Sequence, residues 1–403
     1  MNKIFTFCLL IILNSNLKAQ FLSPEMLQNK GILWSKNFDL NIPFIEKKGG
    51  WVILKLKING IERRFIFDTG SGINVIDPSA LAGLGLTKIG FTKASDSSGK
   101  ERYNDVYSSD NLKIDSLTFS DVAFLASSLP DIIACEGIDG ILGNTIISKL
   151  NWVIDYDTQK IRLTDTKIEK GEGKEVYFYL ENNVHRVTLE LGDNSFEHCT
   201  LDFGCAAAIM FPKNILSSKV IETKLKEGLY YESVSASFGL YGKTKSDTSQ
   251  NLIIPKFKLR EITLDSTNVL IEKNVGHILV GVSVFSKYKI AIDNVNRRYI
   301  FYSRKNTGNF ISTKRRPISV SWENKKLVID QVKLCSSVSL NDVQIEAEVK
   351  SLNGKTAKNF KSYCEFDQWL DTQNEKDWDI ILMKNKKRLK IKKEEMKMIK
   401  DCR

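Results

Sequence analysis

Phe65-Ile66-Phe67-Asp68-Thr69-Gly70-Ser71 and, later in the chain, Thr200-Leu201-Asp202-Phe203-Gly204-Cys205 are two versions of one pattern. Each is a short apolar strand ending in an acid, one intervening residue and a glycine. Such a strand given twice places two carboxylates where they can meet across a pseudo-twofold axis. Two carboxylates at close range cannot both ionise easily, so they share a proton and titrate as a unit. That pair can activate water without a metal or a cofactor.

Working outward, four further landmarks repeat. An alternating strand, Trp51 to Ile58, precedes the first acid, and Val184 to Leu191 precedes the second. Asn59-Gly60 and Gly192-Asp193-Asn194 follow them as hairpin turns. Ile141-Leu142-Gly143 and Leu279-Val280-Gly281 are buried-strand signatures at similar distances from their acids (68 to 143, 202 to 281). Ser148-Lys149 and Asp155 recur as Ser286-Lys287 and Asp293 at one constant offset. The strand-rich alternation places residues 35–305 in an all-β class built from two homologous lobes. Short helices are predicted at Pro78 to Leu84, Asn144 to Leu150, Pro212 to Ser218 and Val282 to Tyr288.

Composition narrows the function. The chain has 403 residues, a formal net charge of +11 and only three histidines, His185, His198 and His277. No H-E-x-x-H, C-x-x-C or G-x-S-x-G occurs, so metal, thioredoxin-type and serine-triad chemistry have no motif to stand on. No cofactor or metal is expected. Residues 1–19 read as a secretory signal peptide: Lys3, an apolar run from Ile4 to Leu13, and Ala19 before the cut. A membrane anchor is the alternative reading, although the run is short for a bilayer. Export makes the protein periplasmic or extracellular and argues against a nucleic-acid partner. Beyond Cys8, the cysteines Cys135, Cys199, Cys205, Cys335, Cys364 and Cys402 are even in number. Disulfides and buried free thiols are equally open.

The first motif, Phe67-Asp68-Thr69-Gly70-Ser71 with Asn74-Val75-Ile76 behind it, resembles the retropepsin-like and pepsin-like aspartic peptidases over roughly residues 40–305. The resemblance implies β-barrel-like lobes with a cleft between them, and Asp68 and Asp202 as the catalytic pair. Thr69, Gly70, Ser71 and Gly204 would support the turns, and Gly143 and Gly281 would pack behind them. The second motif departs from the family, with Phe203 where threonine is usual and Cys205 where serine, threonine or alanine is usual. The threonine hydroxyl braces the opposite turn in the family, so bracing from Thr69 is expected to be one-sided. Phe203→Thr would then restore a brace. Ser71 is expected to donate to Asp68, leaving Asp202 to hold the shared proton more often.

Two glycine-bearing hairpins lie between acid and later glycine: Ser95 to Asp105, and the candidate flap Phe238-Gly239-Leu240-Tyr241 with Gly242. They read as cleft covers or as ordinary surface hairpins. After Lys305-Asn306-Thr307-Gly308-Asn309, residues 306–403 read as a separate β-rich unit. It resembles a PDZ domain in the Leu352-Asn353-Gly354-Lys355 turn and the last hairpin, though no glycine-rich carboxylate loop is present. Its run from Lys384 to Lys393 is a solvated face or a contact for an anionic or membrane surface.

The domain division is therefore 1–19 signal peptide, 20–170 first lobe, 171–305 second lobe and 306–403 PDZ-like unit. The leading reading is an aspartic endopeptidase acting on peptide or protein substrates. A degenerate peptide-binding protein on the same fold, favoured by Phe203 and Cys205, is the alternative. A surface-binding structural protein that uses the basic run is the third.

Overall fold

The computed structural model describes residues 20–305 and 314–395, apart from positions 48, 228, 229, 274, 335, 339 and 342. The signal-peptide reading, Cys335, Cys402 and most of the linker lie outside the described residues. The chain is mostly β, as its alternation predicts, with strongly curled sheets.

The first hairpin pairs Trp51–Ile58 with Ile61–Phe67. Its turn residues Asn59 and Gly60 both have positive φ, 49° and 88°. Asparagine and glycine tolerate that region, and such a turn matches strand twist. The strand Gly140–Leu142 then runs parallel to Ile61–Phe67, with Leu142 opposite Phe67. It also pairs antiparallel with Asn74–Ile76. The second half repeats this plan. Val184–Leu191 pairs with Asn194–Asp202. Leu279–Gly281 runs parallel to the latter with Gly281 opposite Asp202, and antiparallel to Ile209–Pro212. Each acid therefore leaves the end of a strand fixed on both faces by apolar side chains. Phe65, Phe67, Leu142, Leu201 and Val280 are fully buried.

A six-stranded sheet ties the halves together. Asn151–Asp155 pairs antiparallel with Tyr288–Asp293, with Val153 opposite Ala291. These two residues are separated by the same offset as Ser148 and Ser286, so the pseudo-twofold axis passes between them. Short helical turns fall where predicted, at Pro78–Ala80, Asn144–Ile147, Lys213–Ser217 and Val282–Phe285. Helices at Lys219–Glu227 and Tyr363–Asp371 were not anticipated.

The C-terminal unit has its own apolar core, including Leu327, Ile329, Leu352, Phe366 and Ile380. It is less separate than a linker suggests. Lys326–Lys333 pairs antiparallel with Tyr230–Ser235, so its strands continue the sheet that holds Asn194–Asp202. A disulfide joins Cys364 to Cys135, at the end of the helix Asp131–Ala134, with Cα atoms 5.1 Å apart. Cys199 and Cys205 are free thiols. Both outcomes left open for the cysteines thus occur. Arg388, Lys390, Lys392 and Lys393 pair with Asp379, Asp377 and Glu375, so much of the basic run is neutralised within its own unit.

Candidate active site

The two Asp-x-Gly turns meet at the floor of a cleft of about 450 Å³. Around Asp68, the N–H groups of Gly70 and Ser71 donate to Oδ1 at 2.8 and 3.2 Å. Around Asp202, the N–H groups of Gly204 and Cys205 donate to Oδ1 at 2.8 and 3.1 Å. The near-identity follows from the repeated sequence: in each turn glycine lets the backbone fold back onto the acid. The two carboxyl groups are hydrogen-bonded to one another.

Both glycines are sterically required. A Cβ at Gly70 would stand 2.6 Å from Asp202 Oδ1. One at Gly204 would stand 2.5 Å from Asp68 Oδ2. Behind the turns, Gly143 and Gly281 sit where a side chain would strike the backbone of Ser71 or Cys205. The neighbouring N–H groups of Asn144 and Val282 donate to those two carbonyls at 2.9 and 2.8 Å. Gly143 N–H itself donates to Asn74 Oδ1 at 3.0 Å.

Burial pushes the Asp68 carboxyl well above the usual carboxylate range, and the neighbouring charge of Asp202 pushes it further. Burial also raises Asp202, but the hydrogen bond from Asp68 and the two turn N–H groups pull it back. The pair therefore shares a proton and titrates as a unit above the usual carboxylate range. The hydrogen bond expected from the Ser71 hydroxyl to Asp68 does not form. The reason is local: Ser71 Oγ donates to the Ile73 carbonyl at 2.7 Å, not to Asp68. A hydroxyl takes the nearest well-aligned acceptor, and here that is backbone two residues on.

The bracing is one-sided, as the Phe203 departure implies. Thr69 Oγ1 donates to the Leu201 carbonyl at 2.6 Å and accepts from Phe203 N–H at 3.2 Å. Trp51 Nε1, not singled out from sequence, adds a third grip on the second turn, donating to the Gly204 carbonyl at 3.0 Å. The Phe203 ring leaves no return hydroxyl. It is fully buried, stacked on Phe285 at 4.5 Å and edge-on to Phe67 at 5.4 Å. Phe203→Thr is therefore expected to lose about 3 kcal/mol of stability through the void it leaves. Chemical denaturation measures this; a loss below about 1 kcal/mol would show that the pocket collapses around threonine.

The two hairpins meet over the cleft. Phe238–Gly239 pairs with Gly242–Lys243, and Tyr241 N–H donates to Asp96 Oδ2 at 2.9 Å. Lys100 Nζ donates to the Lys243 carbonyl at 2.7 Å, and Asn104 Nδ2 to Tyr241 Oη at 2.8 Å. Phe238, Gly239, Leu240 and Tyr241 line the cleft opposite the carboxyl pair. Asp96 also accepts from Ser98 and Lys100 N–H groups, so one carboxylate pins both hairpins. Hydrogen bonds to a charged acceptor contribute about 1.5–3 kcal/mol. Asp96→Ala should therefore speed hydrogen exchange of the Tyr241 amide by at least about tenfold. An unchanged rate would mean that Asp96 does not hold the roof shut.

Residues 54–146 match the family model described as aspartyl protease. This segment is an aspartyl-protease-like domain. No curated protein matches the chain. The match includes the Asp68 turn, the Ser95 to Asp105 hairpin and Gly143, and ends before the second turn. Among the described residues, no three His, Cys, Asp or Glu side chains are grouped to hold a metal ion.

Proposed function

We propose that the protein is an aspartic endopeptidase in which Asp68 and Asp202 act together on an extended polypeptide. One observation carries the reading: two carboxyl groups from equivalent turns, hydrogen-bonded to each other, each packed against the other's glycine under a stitched roof. The charged member of the pair takes a proton from water as the water oxygen adds to the peptide carbonyl carbon. The protonated member donates to the carbonyl oxygen, giving a tetrahedral diol. Return of a proton to the amide nitrogen lets the C–N bond break. The roof excludes water and offers backbone groups to a strand-like substrate.

The rate requires one proton on the pair. It falls at low pH as the pair takes up a second proton, and at high pH as the pair loses its last. Both limbs lie above the range of ordinary carboxylates because both groups are raised. The test is cleavage of an unfolded protein and a quenched peptide across pH 3–8, with and without pepstatin. No cleavage at any pH, with pepstatin still bound, would favour the degenerate peptide-binding reading that Phe203 and Cys205 support.

We also propose that the protein is exported. The Cys135–Cys364 disulfide supports an oxidising compartment. The C-terminal unit acts as a buttress. Its disulfide reaches the cleft-lining helix Asp131–Ala134, and Glu323 accepts from Lys243 of the roof at 2.7 Å.

A further inference from the structure

Phe203 has no hydroxyl to return to the Asp68 turn, so a side-chain hold on that turn from the sheet of Asp202 must come from elsewhere. The hairpin of Tyr179–Glu181 with Val184–Leu191 supplies one. Its tip residues Asn182 and Asn183 both have positive φ, 51° and 59°, which asparagine tolerates. Asn183 Nδ2 donates to the Gly72 carbonyl at 2.7 Å. Gly72 follows Ser71 and lines the cleft with it. A Cβ at Gly72 would stand 2.8 Å from the Asn182 carbonyl oxygen, so the hairpin tip seats where glycine leaves room.

The same hairpin is tied to the strand Asn194–Asp202. Buried Arg186 pairs with Glu181, the residue before the tip, at 3.0 Å. Its Nη1 donates to Thr200 Oγ1, two residues before Asp202, and Arg186 lies opposite Thr200 in the strand register. The hairpin thus runs from the strand that ends in Asp202 to the turn that holds Asp68. The repeat shows that the two turns are held differently. Asn183 and Gly49 precede their acids by one interval, and Gly72 and Ala206 follow theirs by another. Gly49 has no side chain to offer, and a Cβ there would lie 3.2 Å from the Ala206 Cβ. The Asp202 turn is gripped by Trp51 instead. Asn144 Nδ2 also holds the Asp68 turn, at the Thr69 carbonyl, but Asn144 follows a strand of the sheet that carries Asp68. Asn183 reaches it from the sheet that carries Asp202.

We infer that Asn183 is a positioning residue that sets the spacing of the two acids, its amide fixing the Asp68 turn to the sheet that carries Asp202. The chemistry of the contact requires a donor. Gly72 presents a carbonyl, and a carboxylate of the same shape would set lone pair against lone pair. Thr69 fastens one turn to the other from the Asp68 side, and Asn183 fastens them from the Asp202 side. The kinetic consequence rests on the peptidase reading; the hydrogen bond does not.

Two variants of the full chain separate the amide from its shape. Asn183→Gly keeps the positive φ and removes the side chain. Asn183→Asp keeps the size and the turn, but at pH 7 its carboxylate has no hydrogen to donate. Hydrogen exchange is measured first. The Gly70 and Ser71 amides, which donate to Asp68, are expected to exchange at least about fivefold faster in both folded variants. The Gly204 and Cys205 amides, which donate to Asp202, are expected to keep their rates. A general loss of stability would speed both turns alike, and that result overturns the inference. So does wild-type exchange in Asn183→Asp, since shape alone would then suffice. Peptide kinetics come second, with kcat expected to fall about tenfold in each variant. Faster exchange at the Asp68 turn with an unchanged kcat overturns the positioning role. Absence of cleavage in the wild-type protein, by contrast, counts against the peptidase reading alone.

Discussion

Asp202→Asn is expected to remove peptide cleavage by at least about 10³-fold, and Asp68→Asn by a comparable factor, with both proteins folded. Asparagine can neither take a proton from water nor give one up and retrieve it. Stability gives a second readout. The folded protein raises Asp68, so its protonated form is favoured in the fold. That stabilisation is fully present below the carboxylate range of the unfolded chain, and is lost as pH rises through the raised value. Asp68→Asn cannot ionise and escapes the loss. Its melting temperature should therefore exceed that of the wild type at neutral pH, and the advantage should shrink as pH falls. Quenched-peptide kinetics and melting curves at pH 4 and pH 7 check both statements. Cleavage that survives either substitution would remove the pair from the mechanism, and an Asp68→Asn protein no more stable at pH 7 would contradict a raised Asp68 carboxyl.

The carboxyl pair was legible because it depends on a local rule stated twice. An apolar strand, an acid and a glycine fix a turn, and the register of Gly140–Leu142 and Leu279–Gly281 beside those strands follows from the same repeat. Position along the chain thus predicts position about the axis, down to Val153 facing Ala291. What was not legible depends on partners that no period encodes. Phe203 announces a lost hydroxyl, but not that Phe285 and Phe67 wait to enclose its ring. Trp51 reads as one more apolar residue of an alternating strand, yet its indole N–H reaches across to Gly204. Asp96 sits in an ordinary-looking turn, and only the fold brings Tyr241 to it. Lys326–Lys333 alternates well as a strand, but alternation specifies faces and not edges. Its pairing with Tyr230–Ser235, and the disulfide beyond it, could not be read from either segment. Ser71 failed for a different reason, because two acceptors competed for one hydroxyl and the backbone carbonyl was better placed.

Gly204→Ala should be nearly as damaging as losing an acid, although it removes no functional group. The added methyl would lie 2.5 Å from Asp68 Oδ2 and 2.8 Å from Oδ1, well inside contact distance. Something must move, and the choices are few. The Gly204 carbonyl is tied to Trp51, its N–H to Asp202, and the preceding residue to Thr69 and an enclosed ring. The turn is therefore stiffer than the opposite carboxyl, and Asp68 is the group displaced. A shift of about 1 Å in a reacting group lowers rate by about 10²-fold. Moving Asp68 also breaks its hydrogen bond to Asp202, which lets each carboxyl titrate closer to an independent group. The expected result is a folded protein with at least about 10²-fold lower kcat and a pH profile whose two limbs draw together. Serine at the same position carries the same Cβ and should behave alike, so an effect of size is separated from one of polarity. If Gly204→Ala cleaves at the wild-type rate in a folded protein, the close approach of each glycine to the opposite acid has no part in catalysis. The two turns would then be related by ancestry of sequence alone.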